Sequence, residues 1–205
     1  MFETSTLLTF FVAGAAIIII PGPAQAMVLA RTLSDGRRAG LLTAVGLNAG
    51  TIVHAVAAGL GVSAVLATSA FAFAAVKYVG AAYLIYLGVQ AWREGERRIE
   101  PSAATGQQAL TRAVATGILN PKVALFFLAF LPQFVDVSRG SVLLQCVALG
   151  LILAMMDVVY EAALVVLAVR MADSFRSARV QRWRSRGTGA VLVGLGLRLA
   201  LAERR

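Results

Sequence analysis

The stretch Ile17-Ile18-Ile19-Ile20-Pro21-Gly22-Pro23-Ala24-Gln25-Ala26 decides how this chain is read. Four isoleucines call for burial in a regular element. The two prolines that follow break any helix that element would be. Proline lacks an amide hydrogen, and its ring clashes with the carbonyl four residues back. Pro21 therefore frees the carbonyl of Ile17, and Pro23 frees that of Ile19. Each proline also drives the residue before it, Ile20 and Gly22, towards extended backbone. Gly22 is expected to accept whatever φ results.

The surroundings of the break follow from composition. The chain has 205 residues, 59% of them hydrophobic and 14% charged, against about a quarter charged in ordinary soluble domains. Ala39 to Val76 contains no Asp, Glu, Lys or Arg, and Ala113 to Val135 contains only Lys122. Crossing a bilayer takes about 20 apolar residues, so the expected fold is an all-α polytopic membrane protein. The formal charge of +9 would point to nucleic acid in a soluble protein. Here the arginines flank apolar runs, which fits loops facing anionic lipid, and no nucleic acid is expected as a partner. The single cysteine, Cys146, lies in an apolar run. It cannot form an internal disulfide and reads as a small packing residue. Ala24-Gln25-Ala26 resembles a signal-peptidase site, but the segment before it carries Glu3 and no Lys or Arg. It is read as a retained span.

Six spans are expected, at 5–30, 39–66, 69–92, 111–135, 141–169 and 187–203. The linker at 93–110 separates two halves, 1–92 and 111–205, with three spans each. The loops at 31–38, 93–110 and 170–186, with their immediate flanks, hold thirteen of the nineteen basic residues. By the positive-inside rule these loops are cytoplasmic and both termini lie outside. Trp92 and Trp183 fit interfacial anchors, and 171–186 reads equally as an interfacial basic helix or a solvated loop.

A shift of 100 residues sets Pro21 on Pro121, Ala24 on Ala124, Gly40 on Gly140 and Gly50 on Gly150. An odd number of spans per half makes a repeated half enter from the opposite side, giving two inverted three-helix repeats with spans one and four broken. In the second half Asn120-Pro121-Lys122 repeats the break. Pro121 frees the carbonyl of Gly117, and Asn120 is a competent helix N-cap. Lys122 is out of place, because a cation near a helix N-terminus is unfavourable. It fits if it neutralises a carboxylate or a bound anion, or if it snorkels to an interface. Matching breaks in two halves point to a midplane binding site; as mere kinks they would only aid packing. The helix resumed after each break offers a positive end to a carboxylate, and the freed carbonyls can accept from an ammonium.

Few other polar residues lie within spans. Asp157 and Glu161 stand at i and i+4 on one helix face. Two carboxylates this close in an apolar setting make a candidate proton carrier, although Glu161 can instead pair with Lys122. Gln25, Asn48, His54 and Tyr160 are candidate cavity-lining, substrate-binding residues together with Pro21, Gly22, Pro23, Asn120, Pro121 and Lys122. His54, as the only histidine, reads equally as a hydrogen-bonded core residue. Gly46 and Gly50 form a small-xxx-small face whose expected role is helix packing. Tyr83 and Tyr86 read as packing or belt residues. No metal-ligand motif, catalytic motif or cofactor signature is present, so neither a metal, nor a cofactor, nor an enzyme is expected. A divalent-metal or other ion transporter is the alternative, with only His54, Asp157 and Glu161 to serve it.

The segments PGPAQAMVLARTLSDGRRAGL, GLNAGTIVHAVAAGLGVSAVL, KYVGAAYLIYLGVQAWR and GILNPKVALFFLAFLPQFV resemble the RhtB (homoserine/threonine resistance) branch of the lysine exporter superfamily. The resemblance runs essentially end to end. It implies a bacterial inner-membrane exporter of amino acids or derivatives, driven by the proton gradient; a homo-oligomer is compatible with this reading. Substrates ascribed to that branch include threonine, homoserine, lysine and branched-chain amino acids. The motifs of the family carry over to Pro21, Gly22 and Pro23, and to Asn120, Pro121 and Lys122. The role of Glu161 rests on local chemistry alone.

Overall fold

The computed structural model describes residues 2–68 and 106–171, together with isolated positions between 78 and 89 and between 182 and 197. The expected spans 69–92 and 187–203 therefore lie almost wholly outside the described residues, as do Tyr83 and Trp92. Among the described residues every regular element is helical. These are α1 (Thr4–Ile19), α2 (Pro23–Asp35), α3 (Arg37–Thr68), α4 (Gly106–Ile118), α5 (Pro121–Leu125) and α6 (Val142–Arg170). Between α5 and α6 run a π-helix (Phe126–Phe130) and two 3₁₀ turns (Leu131–Phe134 and Val137–Arg139).

Among the described residues three helices are long and apolar enough to cross a membrane: one in α3, one running through α4 to Phe134, and α6. The bent pair of α1 and α2 makes a fourth if taken as one span. Four of the expected spans thus coincide with described helices, and both expected breaks are present.

The expected loop 31–38 is a correction. Helix continues to Asp35, and Gly36 alone separates α2 from α3. Gly36 makes this possible with φ +85 and ψ 179, a conformation essentially reserved for glycine. Its backbone N–H closes α2 on the carbonyl of Thr32. Arg31 consequently lies within α2, 4% exposed and ion-paired with Asp35, rather than in a solvated loop.

The shift by 100 is also corrected in register. The prolines that start helices are Pro23 and Pro121, while the left-handed glycines preceding α3 and α6 are Gly36 and Gly140. Gly40 instead sits inside α3, where a β-carbon would meet the Thr32 hydroxyl at 2.0 Å. The second arm is longer because the π-helix and 3₁₀ turns intervene before Gly140.

Helix α3 is the hub, packed against α6, α4 and α2. Its glycines set the distances. A β-carbon on Gly50 would lie 2.3 Å from the backbone of Gly117, and one on Gly117 would lie 2.2 Å from the Leu47 carbonyl oxygen. One turn away Gly46 faces Ala113. Helices α3 and α4 therefore touch backbone to backbone, as small-xxx-small faces allow. On the other side of α3, Gly150 packs on Ala55 and Gly59 on Leu143 and Cys146. Cys146 is fully buried and free, in keeping with a packing role.

The main apolar cluster joins α1, the π-helix and α6 through Phe10, Ile17, Ile18, Phe126, Phe127, Phe130, Phe134 and Leu149. Ring centroids lie 5.2 Å apart for Phe10–Phe134 and 5.7 Å for Phe126–Phe130, within the range of attractive aromatic pairs. Of the four isoleucines, Ile17, Ile18 and Ile20 are buried and only Ile19 is exposed. At the rim, Arg139 bridges Asp136 and Glu3, tying the turn before α6 to the start of α1. Hydrogen bonds from the Ser138 hydroxyl and amide, ahead of Arg139, hold the Asp136 carboxyl below the usual carboxylate range.

Candidate functional site

At the first break α1 ends at Ile19, and Ile20, Pro21 and Gly22 leave the helix before α2 starts at Pro23. The two helices meet at 57°. Proline at the first position of α2 costs nothing, since its missing N–H would be unpaired there anyway. Gly22 is extended as expected, and φ −148 and ψ −176 are ordinary backbone open to any residue. The following proline imposes that geometry.

The carbonyls left over at the end of α1 find partners from a distance. Lys122 Nζ donates to Ile17 O at 3.0 Å and to Ile20 O at 2.8 Å. The Gln25 side-chain amide donates to Ile18 O. The carbonyl freed by Pro21 is thus held by a lysine from the second break. This resolves the oddity of Lys122. Its position at the start of α5 is unfavourable, but its ammonium reaches the negative end of α1, where a cation is stabilised.

The second break satisfies itself. Asn120 N–H donates to Gly117 O at 3.2 Å, so the carbonyl freed by Pro121 is taken up locally. The Asn120 side chain caps α5 by accepting from Lys122 N–H at 3.1 Å. Helix α5 lasts five residues and passes into the π-helix.

Beside the two breaks lies a small, part-open cavity of ≈ 20 Å³, lined by Ile17, Ile18, Thr51, Lys122, Val123, Phe126, Leu153 and Asp157. Asp157 and Glu161 both act electrostatically on Lys122. Glu161 is 1% exposed and accepts from Asn48 Nδ2 at 3.2 Å. The same amide lies beside Asp157 and donates to Ala44 O at 3.1 Å. Asn48 therefore stands between the cavity-facing carboxylate and the buried one. Its Oδ1 and Gln25 Oε1 are buried without a hydrogen-bond partner.

The structure thus brings together Pro21, Gly22, Gln25, Asn48, Asn120, Lys122, Asp157 and Glu161 around the two breaks. A β-carbon on Gly22 would approach the Lys122 side chain at 3.9 Å. Pro23 and Pro121 are exposed and act through backbone geometry. His54 does not line the cavity. Its ring stacks on Phe127 with centroids 6.3 Å apart, and its Nε2 is buried without a partner. Tyr160 is half-buried between two apolar clusters and does not line the cavity either. Sequence reasoning missed Thr51 and Phe126. Thr51 stands one turn after Asn48, a spacing that does signal a shared face. Phe126 carries no such signal, because the π-helix alters which residues face inward. Among the described residues no group of three or more His, Cys, Asp or Glu side chains is placed to hold a metal ion.

The arrangement offers a carbonyl pair holding an ammonium, one carboxylate facing the same cavity and a second buried close by, within the membrane-spanning helices. Comparison with known proteins places it. The chain is 34% identical over 203 residues to an uncharacterized membrane protein of Pseudomonas aeruginosa, covering 95% of this chain and 94% of that one. It is 29% identical to the homoserine/homoserine lactone efflux protein of Salmonella typhimurium, with 98% and 94% covered. It is also 29% identical to the leucine efflux protein of Klebsiella pneumoniae, with 98% of each covered. No solved structure matches it. The family model for the LysE type translocator matches residues 15–203, and the chain belongs to that family of membrane translocators.

Proposed function

We propose that this protein is a secondary transporter that exports amino acids or their derivatives across the bacterial inner membrane. The observation that carries the reading is the cavity shared by Lys122 and Asp157 at two paired helix breaks, in a family whose relatives include homoserine and leucine efflux proteins. An amino acid has a cationic and an anionic end. The α1 carbonyls and Asp157 suit the first, and the N-terminal end of α2 suits the second. Export is coupled to proton entry through Asp157 and Glu161, which Asn48 bridges. Transport proceeds by alternating access, one three-helix repeat (1–92) rocking against the other (111–205) around residues 21–23 and 120–122. The six-span inverted arrangement, cytoplasmic odd loops and external termini are parts of the same proposal.

The test is counterflow and efflux of radiolabelled amino acids, homoserine and leucine first, from proteoliposomes containing the full chain. An inward proton gradient is expected to accelerate efflux by the wild type and leave Asp157→Asn unaffected. Efflux is expected to collapse in Pro21→Ala. Undiminished efflux in both variants would sink these residue assignments.

A further inference from the structure

The ammonium that sits on the α1 carbonyls belongs to the protein itself. We propose that the carbonyls of Ile17 and Ile20 are the seat of the transported amino acid's α-ammonium, and that Lys122 fills this seat as a tethered stand-in that the substrate displaces. The inference rests on the exporter reading above and goes further, because it gives one atom pair a ligand and one side chain two positions.

Three observations converge. The seat is chemically defined: two backbone carbonyls at the negative end of α1, one stripped of its helical partner by Pro21, 3.0 and 2.8 Å from Nζ. Such a pair within a membrane-spanning segment needs a donor at all times, and a cationic one is bound most strongly. Second, the occupant comes from the other break, roughly a hundred residues away in sequence, and its own anchorage opposes its charge, being the start of α5. Third, an alternative acceptor stands in the same cavity. Ile17, Lys122 and Asp157 all line it. Yet the ion pairs found among the described residues are Arg31–Asp35, Arg139–Glu3 and Arg139–Asp136, and none involves Lys122.

Displacement then conserves charge and hydrogen bonds. The substrate ammonium takes Ile17 O and Ile20 O, and Lys122 turns to Asp157. Since Lys122 links the first break to the second, its release uncouples them, which is the step a rocking mechanism requires. With the seat filled by Lys122, the apparent affinity for substrate is lowered by the fraction of molecules in which the seat is blocked.

The experiment is equilibrium binding to the purified full chain in detergent. Leucine and homoserine are compared with 4-methylpentanoate and 4-hydroxybutanoate, which lack the ammonium. In Lys122→Met the competing ammonium is gone, and leucine or homoserine is expected to bind about tenfold more tightly than to the wild type. The two amine-free acids are expected to gain nothing, and proton-driven efflux is expected to fall even though binding improves. Lys122→Gln is the fallback if the methionine variant does not fold: its neutral N–H donor competes for the carbonyls more weakly than an ammonium, so a smaller gain of the same sign, again confined to the amino acids, is expected. Unchanged or weaker amino-acid binding in a folded variant overturns the seat, and so does an equal gain for acids with and without the ammonium. Failure of the exporter reading looks different: the wild type then binds neither amino acid, and both proposals fall together.

Discussion

The two helix breaks share a proline and a role at the start of a new helix, but they are held in different ways. The break after Ile20 is wide and bends the chain by 57°. Two of its carbonyls depend on Lys122, a side chain from the other break, and a third on Gln25 just past the bend. The break at Asn120 closes on itself through Asn120 and is fixed from outside by backbone contact between Gly117 and α3. In the transport cycle proposed above, the first break serves as the hinge, whose polar groups change partners, and the second as the mount it moves against.

The largest expected effect falls on the mount. Gly117→Ala places a β-carbon 2.2 Å from the Leu47 carbonyl oxygen, and Gly50→Ala places one 2.3 Å from the Gly117 backbone. Neither neighbour is a flexible side chain, so α3 and α4 must separate. The cost is expected to reach or exceed the upper end of the ~1–3 kcal/mol typical of overpacking. Thermal unfolding of the purified variants in detergent measures it. Wild-type stability in both would show that α3 and α4 are not in backbone contact, and the distinction between mount and hinge would go with it.

Next comes the link between the breaks. Lys122→Met leaves the Ile17 and Ile20 carbonyls without their charge-assisted donor, and a lost bond of that kind costs ~1.5–3 kcal/mol. The net loss of stability is expected to be ~2 kcal/mol, because removing a buried cation offsets part of it. Saturating leucine or homoserine is expected to restore more of the melting temperature in this variant than it adds to the wild type. An amino acid that protects both equally would mean that the hinge carbonyls are not where the ammonium goes.

How much of this was legible beforehand depends on whether the signal was local. Pro21 and Pro121 act on their own backbone, so the breaks and the freed Ile17 carbonyl could be read directly from the chain. The small-xxx-small face at Gly46 and Gly50 is likewise a local pattern, and it packs as expected. Asp157 and Glu161 at i, i+4 were legible as a pair. Their separation into one cavity-facing group and one buried on Asn48 was not, because it depends on how α3 crosses α6. That Lys122 would serve the carbonyls of the first break rather than a carboxylate needed the distance between two segments a hundred residues apart. Phe126 was hidden by the π-helix, which shifts the facing of every residue after Leu125. Arg31 misled because charge density was taken to mark a loop, whereas the helix continues to Asp35 and Arg31 is buried within it.

The self-contained character of the second break sets the third expectation. Asn120→Ala removes the side-chain acceptor from Lys122 N–H, and N-cap losses of this kind cost about 1 kcal/mol. Asn120→Ser or Asn120→Asp is expected to recover most of that, since either can cap. If the alanine variant unfolds like the wild type, α5 does not rely on its cap, and the two breaks are more alike than their hydrogen bonds indicate.

The smallest effect is expected within the motif that first drew attention, and it separates chemistry from resemblance. Gly22 lies between two prolines, and the second of them drives it towards extended backbone. Its φ of −148 is extended backbone that alanine also adopts. The space is open too, since the nearest atoms to an added β-carbon are those of the Lys122 side chain at 3.9 Å, an ordinary van der Waals contact. Gly22→Ala is therefore expected to change folding stability by less than about 0.5 kcal/mol. Because that β-carbon would touch Lys122 and nothing tighter, any loss of efflux in a normally stable Gly22→Ala protein would arise from restricted movement of the lysine. A parallel measurement of melting temperature and efflux thus asks whether the hinge has to release Lys122. Unchanged efflux means the side chain leaves by a route that does not pass Gly22, whereas a fall in efflux at constant stability puts the moving part of the transporter at this contact.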